Sequence, residues 1–145
     1  MRWRVEAPRN VSPSPGAPLA LTPQQLLAHA YAVLDEPPAG LAGRWPRAVA
    51  LLGRQALEGS LDQLWQARNV KMGWASERAQ LLCLATVLGD RRLAAEASLA
   101  WSGLSGACHQ HPYDLGATAG ELAAWLETVD QLRRAVAKST AAAPT

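Results

Sequence analysis

The sequence contains no phenylalanine and only two cysteines, Cys83 and Cys108. Two cysteines cannot build the disulfide framework of a small secreted domain. The sequence also has no apolar run of about 18 residues, which a membrane span requires, and no basic leader followed by an apolar stretch, which a signal peptide requires. We therefore expect a cytoplasmic protein that does not contact a membrane.

The sequence also lacks a clear excess of either positive or negative charge. The 14 basic residues are nearly balanced by 12 acidic residues, and the formal net charge is +2. Net charge alone therefore does not predict a nucleic acid as partner, and any such role needs a local basic patch. Twelve of the basic residues are arginine, a bias typical of bacteria with GC-rich genomes.

The length of 145 residues suits a single domain. Residues 1–21 contain several prolines, which disfavour a helix, so we expect an extended or disordered arm. The arm is either a solvated leader or a segment that contacts an anionic surface. Its basic and aromatic residues are Arg2, Trp3, Arg4 and Arg9. Residues 22–138 form the predicted domain, and the small residues 139–145 predict a flexible tail.

Five segments have apolar residues at every third or fourth position, as amphipathic helices do. None of them alternates polar and apolar residues as a strand does. The predicted helix starts are Thr22, Pro46, Ser76, Asp90 and Thr118. Short connections favour antiparallel neighbours. The sequence therefore predicts an all-α fold, a four- to five-helix up-and-down bundle.

Two glycines, Gly53 and Gly59, lie inside the second predicted helix. Each costs the helix about 1 kcal/mol relative to alanine. We interpret them as positions where another helix approaches closely, because a break in the apolar pattern does not accompany them.

The apolar stripes predict which large side chains are buried. In the third helix the stripe includes Leu81, Leu82 and Leu84. The tryptophans on helical stripes, which we expect in the core, are Trp65, Trp101 and Trp125. Trp45 and Trp74 are predicted to lie in loops, where a tryptophan is well suited to contact a partner. We therefore take these two as candidate binding residues.

Polar residues concentrate between the fourth and fifth helices. The segment reads Cys108-His109-Gln110-His111-Pro112-Tyr113-Asp114. One hypothesis is a metal site with Cys108, His109 and His111 as ligands, completed by Cys83 or Asp114. The paired cysteine or histidine spacings that most such sites have are missing, and we expect neither a metal ion nor a cofactor.

Two further hypotheses apply to the same segment. Cys108 and a neighbouring histidine are the residue types of a nucleophilic dyad, which also needs an orienting group and an oxyanion hole. Alternatively the segment is structural, with Tyr113 and one histidine anchoring it against the bundle and Asp114 or His111 capping backbone groups.

His111-Pro112-Tyr113 resembles the second half of the motif of HEPN-domain ribonucleases and toxins (higher eukaryotes and prokaryotes nucleotide-binding). In that motif four to six residues separate an arginine from the histidine, and one residue separates the histidine from the tyrosine. The position before the last helix is also similar. The segment Arg54-Gln55-Ala56-Leu57-Glu58 resembles a helix of relatives of this superfamily. The resemblance covers residues 22–138 and implies a HEPN-like helical bundle.

This sequence lacks the arginine of the family's motif. Gly106 lies where the arginine would stand at the shortest spacing, and the longer spacings fall on Ser105 and Leu104. In the family the arginine polarises the scissile phosphate while the histidine assists attack by the ribose 2′-hydroxyl. Its loss removes a fixed positive charge that stabilises the transition state. The resemblance therefore implies a degenerate protein that binds and does not cleave.

A metal-independent ribonuclease is the alternative function. It would use His111 as acid and base, with His109 as a second candidate, and Tyr113 to orient the histidine. An arginine from another helix would have to supply the missing charge. The arginines considered for this role are Arg54, Arg78 and Arg92.

The resemblance also implies partners. Members of the family pair two protomers so that their motifs face one groove, which predicts a homodimer. Tyr113 would be the residue that a partner nucleotidyltransferase modifies. We therefore expect a binding or regulatory component of a bacterial conflict, toxin–antitoxin or mobile-element system. It would engage a protein or RNA through the segment from His109 to Asp114.

Overall fold

The structure is a computed structural model that describes residues 20–109 and 113–142. Within these residues it contains five α-helices and no strand, which confirms the predicted all-α bundle. The helices are α1 (Pro23–Asp35), α2 (Trp45–Ala67), α3 (Glu77–Leu88), α4 (Arg91–Cys108) and α5 (Ala119–Ala141). A short 3-10 turn, Ala39–Leu41, lies between α1 and α2.

Side-chain caps begin four of the five helices at the predicted residues. Each capping oxygen accepts a hydrogen bond of 2.9–3.2 Å from the backbone N–H three residues further on. The capping residues are Thr22, Ser76, Asp90 and Thr118. These bonds satisfy donors that have no partner inside the helix. The helix starts are therefore set by local chemistry.

The helix α2 is the central element of the bundle. It contacts α1, α4 and α5, whereas α3 packs mainly against α4. The largest fully buried side chains come from α2 to α5 and include Leu57, Leu61, Leu84, Leu104, Leu126 and Leu132. Because only a short segment connects Cys108 to Ala119, the end of α4 and the start of α5 lie at one end of the bundle.

Both glycines inside α2 mark close approaches, as predicted. A Cβ atom on Gly53 would lie 2.7 Å from Cδ2 of Leu126, and one on Gly59 would lie 3.2 Å from Cγ of Pro23. A Cβ atom essentially never lies within 3 Å of another heavy atom, so α5 packs closely enough against α2 that the Leu126 side chain would have to shift if Gly53 carried a Cβ atom.

Two predictions about apolar residues are wrong. Leu82 is 75 % exposed, because α3 lies at the edge of the bundle and buries Leu81 and Leu84 on one face only. Trp45 does not lie in a loop. It is the first residue of α2 and packs partly against the core, since Pro46 is compatible with the first helical turn.

At the C-terminal end, the last helix is longer than the sequence predicted. The helix α5 continues to Ala141, beyond Ser139 where we expected the tail to begin. Its last turn is held by Arg68, which donates a 2.7 Å hydrogen bond to the Ser139 hydroxyl. The arm up to residue 19 and residues 143–145 lie outside the described residues.

None of the helices described is long and apolar enough to cross a membrane.

Candidate functional site

The sequence-predicted site lies where α4 passes into α5. Cys108 is the last residue of α4, and the following His109 is exposed, with its backbone N–H donating to the carbonyl of Gly106 at 3.2 Å. His111, the proposed acid and base, falls in residues 110–112, which lie outside the described residues. The chain is described again from Tyr113 onwards, and it enters α5 through the capping box of Thr118 and Glu121.

A pocket of about 260 Å³ opens beside this connection. It is lined by Gly103, Gly106, Ala107, His109, Asp114, Leu115, Ala117, Glu121 and Trp125. The Trp125 indole lies over Gly103, where no room for a Cβ atom exists. Small residues of α4 therefore form one wall, and the indole and two carboxylates lie on the other side. The structure thus brings the predicted residues His109 and Asp114 into one pocket.

Tyr113 and Leu115 project away from the bundle on either side of Asp114. Their side chains are 99 % and 101 % exposed. The structural hypothesis required Tyr113 to anchor the segment against the bundle. Its exposure shows that it does not. We refer to His109, Tyr113, Asp114, Leu115 and the pocket beside them as the α4–α5 surface.

Arg54, the arginine considered as a replacement for the missing one, lies in a network between α2 and α4. Its Nε donates a 2.8 Å hydrogen bond to the carboxylate of Glu58, one turn later on α2. Its guanidinium lies 5.7 Å from the ring centre of Trp101 on α4, and the Trp101 indole N–H is 3.5 Å from the same Glu58 oxygen. The hydrogen bond with Glu58 raises the pKa of Arg54, which keeps it a cation.

This network reaches the end of α4. Burial raises the pKa of the Cys108 thiol, and the nearby cations Arg54 and Arg47 oppose that effect only in part. The Cys108 side chain is 6 % exposed. A buried neutral thiol is a poor nucleophile, so the environment of Cys108 does not favour the dyad hypothesis.

Glu77, the first residue of α3, faces the same network and was not singled out by the sequence. Its Oε2 atom is buried and has no hydrogen-bond partner in the described part of the chain. Burial raises the pKa of Glu77, and the carboxylates of Glu58 and Asp62 raise it further, with Arg54 acting in the opposite direction. The only sequence signal for this contact was an acidic residue in the first turn of a helix.

The remaining candidates lie on other surfaces. Arg78 is exposed on α3. Arg92 forms a 2.9 Å ion pair with Glu96 on the outside of α4, where its side chain is 87 % exposed. Trp74 is 84 % exposed in the α2–α3 connection, and its indole N–H donates to the carbonyl of Lys71 at 3.0 Å.

The part of the chain that the structure describes offers no set of ligands for the hypothesised metal ion. Residues 20–109 and 113–142 contain no group of three or more histidine, cysteine, aspartate or glutamate side chains that could hold a metal ion. Cys83 is exposed on α3, whereas Cys108 is buried at the end of α4. One proposed ligand, His111, lies outside the described residues.

Comparisons with known proteins leave the family of this chain open. No family model matches the sequence, and no curated protein and no solved structure shows significant similarity to it. The HEPN resemblance therefore rests on the short motifs around His111 and Arg54 and stays a prediction. What the structure establishes is that the residues it describes form an all-α bundle of five helices with a pocket at the α4–α5 connection.

Proposed function

We propose that the chain is a HEPN-like binding protein without nuclease activity, which engages a protein partner through the α4–α5 surface. The observation that carries this proposal is the full exposure of Tyr113 and Leu115 beside the pocket. Exposed aromatic and aliphatic side chains around a concave site are typical of protein interfaces. Trp125 supplies a further apolar wall, which an inserted partner side chain would contact.

The charges at this end of the bundle favour binding over RNA cleavage. Glu121 lines the pocket, and a phosphate group placed there would approach its carboxylate. Arg54, one of the arginines considered as a replacement for the missing one, is already paired with Glu58 and lies against Trp101. Glu58 therefore already balances part of the positive charge that Arg54 could offer to a pentavalent phosphate.

Within the HEPN resemblance, this surface suits a regulatory component of a bacterial conflict, toxin–antitoxin or mobile-element system. The hydroxyl of Tyr113 lies on a side chain that is 99 % exposed. It is therefore accessible to a partner nucleotidyltransferase. Such a partner would transfer a nucleoside monophosphate from a nucleoside triphosphate to the Tyr113 hydroxyl: the oxygen–phosphorus bond forms as pyrophosphate leaves and the hydroxyl proton is lost. Mass spectrometry of the protein from its host cell detects the added mass, and Tyr113→Phe abolishes it.

Affinity capture with matched variants tests the proposed surface. The full chain is tagged and expressed in its host bacterium, and bound proteins are quantified by mass spectrometry. We expect a partner that the wild type retains and that Tyr113→Ala combined with Leu115→Ser loses. Leu82→Ser is the control, because Leu82 is also strongly exposed but lies on α3. An identical set of proteins on all three baits would overturn the proposal.

A metal-independent ribonuclease is the second candidate, and one observation favours it. The nearby Arg54 opposes the rise that burial causes in the pKa of Cys108, so the positive charge of a residue on α2 acts at the end of α4 that precedes His109. The test is cleavage of a mixed single-stranded RNA pool in EDTA. Cleavage that disappears in both His111→Ala and Arg54→Ala would establish this activity and refute the non-catalytic proposal.

A further inference from the structure

The α5 side of the pocket at the α4–α5 connection combines an indole with a carboxylate. Glu121 and Trp125 are four residues apart on α5, so their side chains are neighbours on one face of the helix, and both line the pocket. The benzene ring of the Trp125 indole lies against Gly103 of α4. One carboxylate oxygen of Glu121 accepts the backbone N–H of Thr118 at 3.4 Å, which holds the carboxylate near the ring.

No positive charge in the described part of the lining balances the Glu121 carboxylate. The lining residues that the structure describes include no lysine or arginine. Residues 110–112, which follow His109 in the chain, add none either. Glu121 also forms no ion pair with another described residue. A cation that a partner brings into the pocket would therefore meet a carboxylate that no other side chain has neutralised.

A second site in the same chain shows which cation suits an indole and a carboxylate that lie close together. Between α2 and α4, the guanidinium of Arg54 lies 5.7 Å from the ring centre of Trp101 and donates a 2.8 Å hydrogen bond to Glu58. Arginine is suited to both contacts, because its planar guanidinium stacks on an aromatic ring and its N–H groups match a carboxylate. The α4–α5 pocket offers the ring and the carboxylate of this arrangement but not the arginine.

We propose that the α4–α5 pocket receives an arginine side chain of the protein partner, with its guanidinium between the Trp125 indole and the Glu121 carboxylate. The inference rests on the proposed function, which places the partner at the α4–α5 surface. Space for the side chain exists on the α4 wall, where a Cβ atom on Gly106 would have no other atom within 4 Å. Residues on either side of the partner's arginine would contact the exposed Tyr113 and Leu115.

Titration with a single capped arginine tests the pocket without a known partner. The probe is N-acetyl-arginine amide, added to the isotope-labelled full chain and followed by NMR. We expect the indole N–H signal of Trp125 and the amide signal of Glu121 to shift, with a dissociation constant of about 1–10 mM. N-acetyl-citrulline amide is the matched control, because citrulline has nearly the same shape without the charge. It should shift these signals little.

Two glutamine substitutions on α5 distinguish the pocket from a general effect of charge. Glu121→Gln removes the charge and keeps the helix cap, since Gln25 fills the same position of the capping box that begins α1. It should weaken binding of the arginine probe about threefold or more. Glu127→Gln removes the same charge from an exposed position outside the pocket and should leave binding unchanged. Trp125 signals that do not shift, equal shifts with citrulline, or equal binding by the two variants would overturn the proposal.

Affinity capture with the same substitutions separates this inference from the proposed function. A partner that Tyr113→Ala combined with Leu115→Ser loses, but that Glu121→Gln retains fully, would leave the α4–α5 surface in place and overturn the arginine pocket. A partner that both variants lose and Glu127→Gln retains supports both proposals. An identical set of proteins on every bait overturns the proposed function, whereas the arginine titration still decides whether the pocket binds a guanidinium.

Discussion

Trp65 on α2 and Gln80 on α3 are joined by a buried hydrogen bond, in which the indole N–H donates to Oε1 of Gln80 at 2.9 Å. The amide nitrogen of Gln80 in turn donates to the carbonyls of Met72 and Ala75, at 3.3 and 3.1 Å. One glutamine side chain therefore connects α2, α3 and the loop that carries Trp74. The position of that loop depends on a polar residue inside an apolar interface.

Replacing Gln80 with leucine should destabilise the fold by about 1–3 kcal/mol, because the buried Trp65 N–H loses its acceptor. Urea unfolding followed by circular dichroism measures the free energy. Gln131→Leu is the control, since Gln131 is exposed on α5 and should change stability by less than about 0.5 kcal/mol. Equal effects at the two positions would show that the Trp65–Gln80 bond does not hold α3 in place.

The close packing of α2 and α5 predicts opposite effects of two glycine substitutions. Gly53→Ala forces Cβ against Leu126 and Leu104 and should cost about 1–3 kcal/mol despite the better helix propensity of alanine. Gly106→Ala, on the exposed side of α4 with no atom within 4 Å of the new Cβ, should stabilise by up to about 1 kcal/mol. Thermal unfolding of both variants provides the comparison. A stabilised Gly53→Ala would contradict the helix separation described above.

Two arginine–glutamate pairs with the same spacing should differ in their contribution to stability. Arg54→Ala breaks a partly buried pair and a contact with Trp101, leaving Glu58 without its cation, and should destabilise by about 1–2 kcal/mol. Arg92→Ala breaks a pair in which the arginine is 87 % exposed and should change stability by about 0.5 kcal/mol or less. Denaturant titrations at two salt concentrations distinguish the pairs, since only the exposed one is strongly screened.

Glu77 should make stability depend on pH. The unfolded chain titrates Glu77 near the ordinary value of about 4.3, whereas burial and the carboxylates of Glu58 and Asp62 raise its pKa in the folded state. The folded protein therefore holds this proton at pH values where the unfolded chain has lost it. The stability contributed by the protonated carboxyl is complete below the ordinary pKa and is lost as pH rises through the folded pKa.

Glu77→Gln should accordingly be more stable than the wild type at neutral pH, and the difference should shrink as pH falls towards about 4.3. Unfolding free energies from urea titrations between these pH values measure it. Glu36→Gln, at the exposed end of α1, serves as the control. A stability difference that does not vary with pH would show that Glu77 is ionised at no cost in the folded protein.

The sequence predicted the parts of the fold that depend on neighbouring residues. Thr22 and Thr118 cap helices through bonds that span three residues, and Gly89 ends α3 with a left-handed φ of 67°. These features need no knowledge of the rest of the chain. The exposure of Leu82 was mispredicted because the width of the buried face of α3 depends on how many helices cover it.

The candidate site was less predictable from the sequence, because it too depends on how the helices pack against one another. The pairing of Arg54 with Glu58 follows from their spacing in the sequence, but the contact with Trp101 depends on how α4 packs against α2. From the sequence, Glu77 could be placed in the first turn of a helix, but its proximity to the carboxylates of Glu58 and Asp62 could not be predicted. These contacts join residues far apart in the chain, and periodicity within one helix does not determine them.

Few residues of α3 are buried, which implies that this helix opens locally more easily than the rest of the bundle. Its buried residues are Gln80, Leu81 and Leu84, whereas α2 packs extensively against α1, α4 and α5. Segments with few buried contacts exchange amide hydrogens through local openings that need less free energy than global unfolding. The amides of α3 should therefore exchange before those of α2. Such an opening would release the loop bearing Trp74 while the remaining helices stay folded.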